Sequence, residues 1–203
     1  MYNFVFKVLG EADVDSFYAG EHKVFGSFEA WSKTNCLSEL TSSDRYYIGL
    51  YAVESTELKT ESTSLIKSEI AEKYKQNYGY TIVDSKFLEE ENYNTCELVA
   101  WAGITTFNDS DLMTIAVLDS YRGMGLATYL LEELLEKARS LKLRTMFLEV
   151  RESNDGAIHI YEKLGFKKIG KRKNYYKSPL ENAVIMECAI NKIGVVGAEI
   201  LSN

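Results

Sequence analysis

Hydrophobic spacing along this chain switches period at one place, and the rest of the sequence is arranged around that switch. Leu112-Met113-Thr114-Ile115-Ala116-Val117-Leu118 is an apolar, partly β-branched run and predicts a buried strand. Further on, Leu126, Leu130, Leu131, Leu134, Leu135 and Ala138 recur with the helical period and predict a helix with one apolar face. Tyr121-Arg122-Gly123-Met124-Gly125-Leu126-Ala127 joins the two. The first turn of a helix has unsatisfied N–H groups and a partial positive charge, so it holds anions. Gly123 and Gly125 have no Cβ and let a phosphate approach the backbone closely. The segment therefore reads as a pyrophosphate cradle, and equally fits an ordinary tight strand-to-helix turn. The glycine spacing matches neither the G-x-x-x-x-G-K-[ST] phosphate loop nor G-x-G-x-x-G.

The remaining pattern predicts elements on both sides of this unit. Residues 13–28 read as a helix followed by a bend, Ser32 as the cap of a second helix reaching Leu40, and 46–53 as a strand. From 54 to 95 the composition shifts to Ser, Thr, Glu and Lys. Within that insertion Ile66, Ile70, Tyr74 and Tyr78 recur every four residues and Gly79 follows as a C-cap, which predicts one amphipathic helix leaning on the body of the domain. Residues 97–107 and 112–118, separated by the turn residues Asn108 to Asp111, predict a hairpin. Then come a strand at 145–150, a short helix at 154–164 with Ala157, Ile158, Tyr161 and Leu164 on one face, and strands at 166–170 and 183–190 around a polar connection holding Pro179. No repeat is visible, and 191–203 has no period and is left unassigned. The expectation is an α/β fold, a mixed sheet flanked by helices, with 1–190 forming one domain.

Composition narrows the class. A chain of 203 residues, 46% hydrophobic and 26% charged, accommodates one globular domain with a sizeable core and an insertion. The formal net charge of −7 argues against non-specific nucleic-acid binding and suits a cationic substrate. The basic stretch Lys163, Lys167, Lys168, Lys171, Arg172 and Lys173 reads as solvated surface. No apolar run reaches the ~18 residues a membrane helix needs, and Met1 to Leu9 does not have the pattern of a signal peptide. Cys36, Cys96 and Cys188 show no C-x-x-C spacing and predict free thiols in a reducing cytoplasm. His22 and His159 are the only histidines, so no metal site and no Ser/His/Asp or Cys/His arrangement is expected.

Arg122, Gly125 and Ala127 form R-x-x-G-x-A after a strand and at the opening of a helix. This resembles the acetyl-CoA loop of the GNAT family of N-acetyltransferases, whose pattern is Q/R-x-x-G-x-G/A. The block from Leu148 to Phe166, L-E-V-R-x-S-N-x-x-A-I-x-x-Y-E-K-L-G-F, is similar to the bacterial ribosomal-protein alanine N-acetyltransferases, the RimI type. The resemblance is close over 97–190, weak over 13–53, and absent from the insertion and the tail. It implies the GNAT fold, a central splayed mixed sheet with the thioester of acetyl-CoA in the splay and coenzyme A as product. Ile115, Ala116 and Val117 are then the strand backbone that pairs with pantetheine amides, and Arg122, Gly123, Met124, Gly125, Leu126 and Ala127 hold the diphosphate. Asn154, a helix cap by its position, contacts the pantetheine arm in the resembling family.

The same resemblance makes Glu149 the general base, directly or through water, and Tyr161 the acid that protonates the departing thiolate. By residues alone Glu149 equally fits a water-facing strand glutamate, and Tyr161 a core tyrosine. Burial of Glu149 is expected to raise its pKa from about 4.3 towards a useful range, and a phenol near 10 suits a thiolate near 8.5. Tyr175 and Tyr176 are expected to wall the acceptor groove or to pack at a strand end. The implied acceptor is a protein N-terminal α-amine, the alanine of a small-subunit ribosomal protein. The alternatives are a small amine such as a polyamine or aminoglycoside, with the insertion bordering the acceptor groove, and a non-catalytic CoA-binding module. Neither nucleic acid nor membrane is an expected partner.

Overall fold

Alternation and helical period translate into thirteen elements in a computed structural model that describes residues 3–53, 69–87 and 96–190. They are β1 (Asn3–Val8), α1 (Val14–Glu29), α2 (Lys33–Thr41), β2 (Arg45–Val53), α3 (Glu69–Tyr78), β3 (Thr81–Asp84), β4 (Glu97–Thr105), β5 (Ser110–Val117), α4 (Leu126–Ser140), β6 (Thr145–Arg151), α5 (Asp155–Lys163), β7 (Lys167–Lys177) and β8 (Leu180–Ala189). The eight strands form one sheet in the order β3-β1-β2-β4-β5-β6-β8-β7. It is mixed: β1 runs parallel to β3 and β5 parallel to β6, while β1–β2, β6–β8 and β7–β8 are antiparallel. The predicted Ile66 turn of the insertion helix, residues 54–68 and 88–95, and the tail 191–203 lie outside the described residues.

Two elements escape the sequence reading. β1 is six residues long and β3 four, too short for alternation to stand out. The last two strands are longer than expected: β7 runs on to Lys177, and Pro179 sits in the tight connection to β8, not in a loose one. The chain divides into two compact units, Met1–Ile104 with Thr114–Leu134 and Thr105–Met113 with Leu135–Asn203.

In the first unit, β1, β2 and β4 are covered on both faces, so their inner stretches read as continuous apolar runs: Val99, Ala100, Trp101, Ala102 and Ile104 have no exposed surface. The α1 residue Phe17 stands edge-on to both Tyr47, with ring centroids 5.6 Å apart, and Trp101, at 6.1 Å. One turn later the same face of α1 brings in a carboxylate. Glu21 is 2% exposed and accepts from Trp101 Nε1 at 2.7 Å and from Thr114 Oγ1 at 3.1 Å. Burial raises its pKa, although these two donors and His22 oppose that shift.

The described part of the insertion packs on α4 and on the loop before it. Tyr74 of α3 meets Tyr129 of α4 edge-on at 5.3 Å, and Lys73 pairs with Glu132 at 2.6 Å. Gly79 ends α3 in the left-handed region (φ +73°) with its N–H on the Lys75 carbonyl at 3.0 Å. Tyr80 then donates its hydroxyl to the Met124 carbonyl at 2.9 Å. A Cβ built on Gly125 would lie 2.8 Å from the Tyr78 ring, whereas one on Gly123 would meet nothing within 4 Å. This revises the expectation for Gly125: its missing side chain makes room for Tyr78. It also places Tyr78 and Tyr80 against the loop that precedes α4.

In the second unit, β6 alternates cleanly. Met146, Leu148 and Val150 are buried, with Thr145, Phe147, Glu149 and Arg151 on the other face. Ile158 and Tyr161 of α5, with Phe166, Ala183, Val184 and Met186, complete the core. β7 is exposed almost throughout, and it carries the basic residues from Lys167 to Lys177.

Two stability experiments follow. Because the folded pKa of Glu21 lies above the ordinary carboxylate value of about 4.5, its protonated form is favoured by folding, and stability falls as pH rises from about 4.5 through the folded pKa. Glu21→Gln keeps an acceptor for Trp101 and removes the charge, so its melting temperature relative to wild type should rise across that window. Parallel curves for the two proteins would rule out a buried charge. Gly125→Ala and Gly123→Ala both force a side chain into the left-handed region, at about 1–2 kcal/mol each. Gly125→Ala also meets Tyr78, so in denaturant titrations it should lose more, and the excess should vanish in a Tyr78→Ala background. An equal loss at both glycines would remove the packing role of Gly125.

Candidate active site

The candidate residues fall into two groups, one in each unit. In the first unit β5 leads into the loop through a 3-10 turn, Asp119–Tyr121. Leu118 donates its N–H to the Val99 carbonyl of β4 at 2.9 Å. Strand alternation then turns the N–H and C=O groups of Ile115 and Val117 away from β4. The β5–β6 ladder consists of two pairs, Ser110↔Met146 and Asp111↔Phe147, so it ends before Ile115. The strand expected to be buried is correspondingly only half-buried at Leu112 to Ile115 and at Val117. A stretch of strand backbone free of β-ladder partners on this side, among the described residues, is what an amide-bearing ligand arm needs.

Gly123 and Gly125 are both left-handed, with φ of +78° and +77°. The N–H groups of Gly123, Met124 and Gly125 have no acceptor among the described residues. The first turn of α4, opened by Leu126 and Ala127, adds its own free N–H groups. Leu126 itself is 1% exposed and anchors the helix start in the core, so the loop hangs from a fixed point. Open space over Gly123 and convergent amides fit a diphosphate. Arg122 folds back, pairing with Asp119 at 2.9 Å and donating Nε to the Val117 carbonyl at 3.4 Å. The anion-binding capacity of the loop therefore rests chiefly on the backbone.

In the second unit Glu149 lies on the half-exposed face of β6. Its side chain is 28% exposed and pairs with Arg172 of β7 at 3.1 Å. The expected burial is thus not found, because alternation sends the apolar neighbours Leu148 and Val150 to the opposite face. Arg172 was counted only as basic surface in the sequence; its guanidinium also lies 5.6 Å from the centre of the Tyr175 ring. Cross-strand placement, which the sequence does not display, brings it to Glu149.

Tyr161 is 6% exposed, and burial pushes its phenol well above the ordinary value, with Tyr176 adding a smaller push. Its hydroxyl has no hydrogen-bond partner among the described residues, yet it is not one of the sealed, unpartnered polar atoms. Burial thus favours the neutral phenol. Asn154 caps α5, accepting from the Ala157 N–H at 3.1 Å through Oδ1, which leaves its amide NH₂ available. Tyr176 is tied down: its hydroxyl donates to the Glu149 carbonyl at 3.3 Å and the Arg151 guanidinium stacks 4.1 Å from its ring centre. Tyr175, with Arg172 near its ring and Tyr176 edge-on at 5.1 Å, is still 44% exposed. Among the described residues no cluster of His, Cys, Asp and Glu is arranged to hold a metal ion.

The pattern of the acetyltransferase (GNAT) family matches residues 51–166. A ribosomal protein bS18-alanine N-acetyltransferase of Haemophilus influenzae is 36% identical over 120 residues, covering 56% of this chain and 77% of that protein. The protein of the same name from Escherichia coli K12 is 40% identical over 86 residues, 41% of this chain and 58% of its own length. The crystal structure of the ribosomal-protein-S18-alanine N-acetyltransferase from Escherichia coli matches with a TM-score of 0.65 at 23% identity, over 95% of this chain and 97% of that one, a likeness of fold. The chain belongs to the GNAT family and is an acetyl-CoA-dependent N-acetyltransferase.

Proposed function

We propose that the chain moves an acetyl group from acetyl-CoA to the N-terminal α-amine of a protein, with an alanine of a small-subunit ribosomal protein as acceptor. The observation that carries this reading is the 36% identity over 120 residues to a protein named for that acceptor. Acetyl-CoA supplies the activated acyl group as a thioester. The amides of Gly123, Met124 and Gly125 hold its diphosphate, Ile115 and Val117 present backbone groups to the pantetheine arm, and Asn154 offers its amide NH₂ to the same arm.

Glu149 takes the proton that leaves the amine nitrogen as the N–C bond forms, directly or through one water. Tyr161 gives its proton to the thiolate released as the C–S bond breaks. An α-amine with a pKa near 8 needs less help from a base than a lysine near 10.4, which suits one partly exposed carboxylate. The raised phenol pKa keeps Tyr161 protonated beyond its ordinary value of about 10, so the donor stays loaded at every working pH. Tyr175, with its exposed ring, borders the acceptor.

Acetylation assays with an Ala-initiated peptide, a polyamine and an aminoglycoside test the acceptor; the peptide should be preferred by kcat/KM, and preference for a small amine would reverse the reading. Mechanistically, the two residues should fail differently. Glu149→Gln should cost about a hundred- to ten-thousand-fold near neutral pH. Part of that activity should return at high pH, where the amine deprotonates unaided. Tyr161→Phe should lose activity that high pH does not restore. A pH–rate profile in which both variants stay near wild type would return Glu149 and Tyr161 to strand and core roles.

A further inference from the structure

The inserted segment carries three tyrosines whose arrangement exceeds what packing requires. Tyr74 and Tyr78 are stacked with ring centres 5.4 Å apart and planes at 14°, and Tyr78 and Tyr80 at 5.8 Å and 22°. The stack is anchored at one end by the edge contact of Tyr74 on Tyr129 and at the other by the Tyr80–Met124 hydrogen bond. Between these fixed neighbours, Tyr78 remains 49% exposed. Its hydroxyl oxygen lies 2.9 Å from the point a Gly125 Cβ would occupy, so it ends directly on the loop. That hydroxyl has no hydrogen-bond partner among the described residues, whereas the Tyr80 hydroxyl is already used.

A phenol clamped between two rings has lost most of its rotational freedom before any ligand arrives, so a hydrogen bond from it carries little further entropic cost. Here the idle donor stands beside amides that also lack acceptors. Resting on the reading of this loop as the diphosphate site, we propose that Tyr78 is a further binding residue of the enzyme, donating its hydroxyl to a phosphate oxygen of acetyl-CoA. Tyr80 is a positioning residue. By engaging the Met124 carbonyl it keeps that peptide unit oriented so that the neighbouring N–H groups face the anion. The described part of the insertion then serves donor binding.

Tyr78→Phe keeps the stacked ring and deletes only the donor. Calorimetry should show acetyl-CoA affinity falling about ten-fold, the scale of a hydrogen bond to a charged group. Steady-state kinetics should show a raised KM for acetyl-CoA with kcat unchanged. With S-acetylpantetheine, a thioester lacking the diphosphate, the variant should match wild type. Tyr80→Phe should raise the same KM, again without effect on the truncated donor. Unchanged acetyl-CoA affinity in Tyr78→Phe overturns the proposal while leaving the loop assignment standing. An equal loss with both donors also overturns it, since the defect would then be general. Folded wild-type protein that fails to bind acetyl-CoA removes the loop assignment itself, and the proposal with it.

Discussion

Buried backbone N–H groups rarely go without an acceptor, whereas those of Gly123, Met124 and Gly125 lie in a partly exposed loop and have none among the described residues. The fold tolerates them because the chain is fixed on either side. Leu118 is bonded to β4 before the loop, and Leu126 is sunk in the core after it. Two left-handed residues in five complete the turn, and only glycine adopts that geometry without strain. The result is a succession of main-chain N–H groups held between two anchored points. Side chains nearby refine it: Arg122 is turned toward Asp119, and the tyrosines of the insertion reach it from outside the helix it opens.

The second unit holds two ionisable side chains in contrasting surroundings. Tyr161 is enclosed, which keeps its proton on, whereas Glu149 is half open to water and held by a guanidinium. Around them β7 and β8 form a scaffold of cross-strand polar contacts. Arg151 reaches Glu181 and the Ser178 carbonyl, and its plane covers Tyr176, whose hydroxyl returns to the Glu149 main chain. Removing a member of such a set disturbs the seat of the carboxylate as well as its own contact.

Much of this was readable from one sequence because the responsible patterns are local. The period change from Leu112 to Ala138 located β5 and α4, and Ser32 and Gly79 marked helix ends through capping chemistry that involves only near neighbours. What stayed hidden depends on residues far apart. Glu21 carries no local signal, and its buried contact is made by Trp101, 80 positions away. Arg172 and Glu149 meet only because β7 and β6 both pair with β8. The four-residue spacing of Tyr74 and Tyr78 announced a helix face but not the surface it would cover. Nothing local signals that Gly125 leaves room for a side chain from the insertion.

The strand order has a further consequence. Among the described residues the eight-stranded sheet has two rims, and an unprotected rim recruits strands from other molecules. One rim here is β3, only four residues long, laid by the insertion along β1, which would otherwise have stood at the border with six. The other is β7, long but studded with lysines and broken in register between Lys168 and Gly170 and between Arg172 and Tyr176. One border is blunted by brevity and the other by charge and irregularity. The segment that reaches the loop before α4 thus also helps keep each copy of the enzyme from pairing edge to edge with the next.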